Sequence, residues 1–167
     1  VARQIDQEDE GFVNQVSEAT MTLRNKQGQE STRRMTIKSL EVDGDGDKSL
    51  TIFSSPRDVK GTAFLSFTHA LEPDDQWLFL PALKRVKRIS SNNKSGPFMG
   101  SEFAYEDISS QEVEKYSYEY IREEAVLGSE GHVIERVPVD PKSGYTKQVV
   151  WVDGCLLYTS PSPRDVE

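Results

Sequence analysis

Hydrophobic side chains recur at every second residue through much of this chain, and that period limits the folds open to it. Ala19, Met21 and Leu23 alternate with Thr20, Thr22 and Arg24, and Met35 and Ile37 alternate with Arg34, Thr36 and Lys38. Successive side chains of a strand point to opposite faces, so the pattern predicts half-buried β-strands rather than helices. Asn25-Lys26-Gln27-Gly28-Gln29 lies between the two stretches and predicts a hairpin turn. Further strands are predicted over 49–55 (stopped by Pro56), 63–69, 76–80, 115–122, 132–139 and 146–152. Pro81 marks an edge, a bend or a bulge before the basic stretch 84–89. Residues 90–107 follow neither period and carry Gly96, Pro97 and Gly100, which predicts a loop with a helical turn. Residues 1–10 are expected to be the end of a helix anchored by Ile5. About eight short, evenly spaced strands argue for an antiparallel sheet that curls or closes.

At 167 residues the chain has the length of one domain with a sizeable core. Its net charge of -8 argues against nucleic acid and against an anionic membrane surface as main partner, since both require a basic face. No apolar run approaches the ~20 residues of a membrane span, so a soluble, non-transmembrane chain is expected. The start, Val1-Ala2-Arg3-Gln4, has neither the basic nor the apolar part of a signal peptide, and the initial Val suggests a fragment.

Catalytic and metal chemistry find little support. His69 and His132 fall in different predicted strands, without the HxxH or HExxH spacing of a metal site. No GxSxG, P-loop or GxGxxG occurs. Asp74-Asp75 and Glu123-Glu124 lie beside turn-like sequence and read as solvated loop charges. Asp43-Gly44-Asp45-Gly46-Asp47 resembles the start of a calcium loop. The sixth and twelfth positions, which need Gly and Glu, are Lys48 and Ser54, so a turn is expected instead. We expect no enzyme, no cofactor and no metal.

Binding chemistry has more to work with. Met21, Leu23, Met35, Ile37, Phe53, Leu65, Phe67, Trp77 and Phe79 are the candidates for an apolar sheet face that holds acyl chains. Phe98, Met99 and Phe103, set among glycines, are core plugs or a lid over a hydrophobic cavity. Lys84, Arg85, Lys87 and Arg88 stand out in an acidic chain. They either protect an edge strand from aggregation or meet an acidic partner or lipid headgroup.

Three blocks carry a family resemblance: 55–65 (Ser-Pro-Arg-Asp-Val-Lys-Gly-Thr-Ala-Phe-Leu), 75–89 (Asp-Gln-Trp-Leu-Phe-Leu-Pro-Ala-Leu-Lys-Arg-Val-Lys-Arg-Ile) and 94–103 (Lys-Ser-Gly-Pro-Phe-Met-Gly-Ser-Glu-Phe). With Tyr145-Thr146-Lys147 and Val150-Trp151-Val152-Asp153, they resemble the outer membrane lipoprotein-sorting protein family of LolA-like domains over 1–154. The resemblance implies a mainly β fold, a curved antiparallel sheet forming an unclosed half β-barrel, with short helices plugging its concave face. It also implies a periplasmic location, lipid or lipoprotein acyl chains as cargo, association with RND-superfamily exporters, and no catalytic residues. The alternative function is a non-catalytic adaptor that docks on such an exporter. Residues 155–165 (Cys-Leu-Leu-Tyr-Thr-Ser-Pro-Ser-Pro-Arg-Asp) resemble a translated sequencing adapter. The domain is therefore expected over 1–154, C-terminally truncated, with 155–167 a non-native tail.

Overall fold

The computed structural model describes residues 2–4, 11–109, 111–126, 128–153 and 159–161. Of the helix expected over 1–10, residues 2–4 are helical, and Ile5 lies outside the described residues. The chain divides into two compact units, Phe12–Gln111 and a second that includes everything from Glu112 onward.

The first unit is a six-stranded antiparallel meander. Strands β1 (Asn14–Arg24), β2 (Glu30–Leu40), β3 (Lys48–Ser55), β4 (Ala63–Phe67), β5 (Asp75–Leu80) and β6 (Arg85–Ile89) each pair with the next in sequence. The β1–β2 turn shows why alternation becomes a hairpin here. Asn25 Oδ1 accepts hydrogen bonds from the Gln27 and Gln29 amides at 3.0 and 2.9 Å. Gly28 completes the turn at φ +79°, where a Cβ would be strained. The 43–47 segment links β2 to β3 as a loop, and its Asp47 carbonyl accepts the Thr68 amide at 2.9 Å and the Thr68 hydroxyl at 2.7 Å. Pro81 opens a single 3-10 turn, Pro81–Leu83, between β5 and β6. β6, which holds the basic run, is the last strand of the sheet.

One face of this sheet is the core. Met35, Phe53, Phe64, Leu78 and Ile89 are buried on it, with Ala19, Met21 and Ile37 packed alongside. The irregular segment after β6 closes the core through short 3-10 turns, among them Phe98–Gly100 and Tyr105–Asp107. Phe98 is wholly buried, its ring 5.2 Å from that of Phe64, 5.5 Å from Tyr105 and 6.0 Å from Phe53. Polar ties hold the segment in place. Buried Gln76 donates to Ser109 Oγ at 3.2 Å, and Arg33 donates to the Met99 carbonyl at 2.6 Å. Burial also pushes the Tyr105 hydroxyl above its usual pKa.

The second unit has four antiparallel strands: β7 (Tyr116–Val126), β8 (Ser129–Pro138), β9 (Gln148–Asp153) and β10 (Thr159–Pro161), in the order β10-β9-β8-β7. Ile134, Val150 and Val152 form its buried cluster. β7 carries Tyr116, Tyr118 and Tyr120 at period two and slips register just after them, between Tyr120 and Arg122. Of the adapter-like stretch, Thr159–Pro161 pairs with β9, and Cys155 lies outside the described residues. The architecture is mainly antiparallel β with short 3-10 turns, and no closed barrel is found among the described strands.

Candidate functional site

The opposite face of the six-stranded sheet carries an open apolar groove. Its register builds it: Leu50 lies opposite Leu65, Leu65 opposite Trp77, and Ala63 opposite Phe79. These side chains, with Phe67 and Val86, line a space of about 500 Å³. The Phe67 and Trp77 rings meet edge to face at 5.3 Å. Burial is incomplete on this face: Phe79 is 37% exposed and Val86 63%. An apolar concavity of this size, open to solvent, suits a hydrophobic ligand (binding pockets run from roughly 300 to 1,000 Å³).

The candidate acyl-binding residues fall on both faces of the sheet. Leu65, Phe67, Trp77 and Phe79 line the groove. Met35 and Phe53 are buried in the core, and Met21 and Ile37 pack against it. Leu23, two residues after Met21, shares that face. Parity explains the split: Phe64 pairs with Thr51, so Phe53, two residues along β3, shares the core face with Phe64 and not the groove face with Leu65. Leu50, Ala63 and Val86 belong to the groove and were missed. Leu50 was hidden because β3 is apolar at 50, 52 and 53, which leaves its phase undefined in sequence.

Phe98 and Met99 sit over the core face, with the groove on the other side of the sheet, while Phe103 is 53% exposed. The basic run alternates as its sequence predicts. Val86 faces the groove, Ile89 enters the core, and Arg85, Lys87 and Arg88 are exposed. Lys84, in the left-handed region at φ +47°, ends the preceding turn.

A polar cluster borders the Phe67–Trp77 end of the groove. Asp75, opposite Phe67, pairs with Arg88, which is opposite Trp77. His69 Nδ1 bonds Asp45 Oδ2 at 2.7 Å and its Nε2 lies 3.7 Å from Asp75 Oδ2, joining the β2–β3 and β4–β5 loops. The hydrogen bond from His69 lowers the Asp45 pKa from 3.8 to about 2, helped by the Gly46 and Ala70 amides. The same bond to Asp45 raises the His69 pKa above 6.5. A raised histidine contributes stability that is complete below 6.5 and lost as pH rises through its folded value. The depressed Asp45 contributes stability that is complete above 3.8 and lost as pH falls through about 2. His69→Gln is therefore expected to lower the melting temperature most near about pH 5 and hardly at all near about pH 9. The effect should be small, because the pair is largely solvated. Thermal unfolding followed across pH checks it, and a loss independent of pH would show that the charge does not act.

A meander with one face plugged by the segment that follows it is the architecture of LolA-like domains. A LolA superfamily protein from Nitrosomonas europaea shares it at 22% identity and a TM-score of 0.62, over 95% of this chain and 68% of that one. Nearer relatives specify the family. A Vibrio parahaemolyticus domain assigned to outer membrane lipoprotein sorting is 57% identical over 95% of this chain and 67% of its own, with a TM-score of 0.91. A DUF1329 family protein from Desulfovibrio piger is 35% identical over 95% and 68%, with a TM-score of 0.86. A family model described as "Uncharacterized protein" matches residues 45–158. No curated protein matches the chain. The chain belongs to the outer membrane lipoprotein-sorting protein family of the Vibrio domain, and its fold is LolA-like.

Proposed function

We propose that this protein is a periplasmic, non-enzymatic carrier in outer-membrane lipid or lipoprotein sorting, and that it holds acyl chains in the groove of β3–β6. The observation that carries the proposal is the groove itself, lined by apolar side chains on four adjacent strands and left open to solvent. Family membership supports the cargo class, since the Vibrio relative is assigned to lipoprotein sorting. Burial alone gives useful affinity. At about 0.8 kcal/mol per methylene, ten buried methylenes supply about 8 kcal/mol before the cost of association. Protein purified from a bacterial periplasm is expected to release acyl lipids on solvent extraction, identified by mass spectrometry. A clean extract, together with failure to bind a fluorescent fatty acid, would sink the carrier role.

That outcome would leave the second reading, an adaptor that docks on an RND-superfamily exporter. It is favoured by β6, an edge strand whose Arg85 and Lys87 are exposed and have no carboxylate partner among the described residues. Lys84 at the start of the run and Arg88 near its end would extend such a contact.

A further inference from the structure

We infer that the groove's ligand is an anionic lipid, with Lys38 and Lys48 receiving its headgroup. The inference rests on the acyl-carrier proposal and adds a headgroup class to it. Both lysines lie on the groove face at its β3 corner. Lys38 is directly opposite Leu50, and Lys48 is directly opposite Phe67, so each borders a groove residue. The Lys48 ammonium stands 4.9 Å from the Phe67 ring centroid, its stem along the apolar surface and its charge at the rim.

The two positions are diagonal neighbours across the β2–β3 pair, about 7–8 Å apart at that register. Neither forms an ion pair among the described residues, and both are exposed. An anion held between the two positions is attracted by both ammonium groups. The other charges nearby do not fill this role. Asp75 is held by Arg88, and Glu18, diagonal to Lys38 across the β1–β2 pair, forms no ion pair with it. Arg88, which lies opposite the groove's Trp77 on β6, is thereby committed to Asp75. In a chain of net charge -8 an anionic ligand meets repulsion almost everywhere else. A carboxylate or phosphate attached to the chain in the groove meets both requirements at once.

Trp77 lines the groove, so its fluorescence in a Trp151→Phe background reports occupancy. The protein is titrated with lysophosphatidylglycerol and lysophosphatidylcholine of equal chain length, as monomers. The anionic lipid is expected to bind about fivefold tighter, the upper range for exposed ion pairs. Lys38→Glu with Lys48→Glu should abolish that preference. Equal affinities in the parent protein, or a preference that survives the double substitution, would overturn the inference while the carrier role stands. Binding of neither lysolipid would overturn both. Glycerol phosphate without a chain is expected not to bind at these concentrations, and binding as tight as the lysolipid's would overturn the lipid as source of the anion.

Discussion

Phe98→Ala is expected to destabilise the Phe12–Gln111 unit by about 3–5 kcal/mol, the range for removing a buried aromatic ring. Phe98 has no exposed surface and touches the rings of Phe53, Phe64 and Tyr105, which come from β3, β4 and its own segment. Removing it empties the place where the irregular segment meets the sheet, and the ties of Gln76 to Ser109 and Arg33 to Met99 cannot collapse the cavity. Phe103→Ala, a few residues on and half exposed, should stay within about 0.5 kcal/mol. Urea unfolding followed by tryptophan fluorescence separates the two. A loss below about 1 kcal/mol for Phe98→Ala would mean that the segment is a movable lid rather than part of the fixed core. In sequence, glycines beside bulky apolar residues serve either role equally well.

That ambiguity marks the boundary of what was legible. Strands and turns were local. Asn25 and Gly28 make the first hairpin with their own atoms, and the alternation within 84–89 sends Ile89 inward and Val86 outward as its period requires. The phase of one strand against the next was not local. In β3, Leu50 and Ile52 point one way, while buried Thr51 and Phe53 point the other, and no count of apolar residues decides which pair faces the core. The pairing of Thr51 with Phe64 decides it, together with an irregularity where β2 passes Arg34 and Met35. An acyl-binding list drawn strand by strand therefore mixed core residues with groove residues. Gln76 was equally opaque. It is a polar residue buried at 3% exposure because Ser109, far along the chain, accepts its hydrogen bond.

Leu65→Asp is expected to weaken acyl-chain binding by 100-fold or more, on the order of the 1.5–3 kcal/mol of one lost aliphatic contact plus the cost of a carboxylate against hydrocarbon. Leu65 sits mid-groove, between Leu50 on β3 and Trp77 on β5, so no chain can span those strands without covering it. The fold should survive, because this face is open to solvent and the new carboxylate stays hydrated while the groove is empty. Its neighbour makes the contrast. Leu78→Asp, one residue past Trp77, places a charge in a core position of 5% exposure and is expected to unfold the unit. Circular dichroism shows which variant remains folded, and titration with a fluorescent fatty acid shows which still binds. A folded Leu65→Asp protein with undiminished affinity would move the ligand off this face. The core face under Phe98, already filled by side chains, would then have to open to admit it, and the Phe98→Ala result says how much that opening costs.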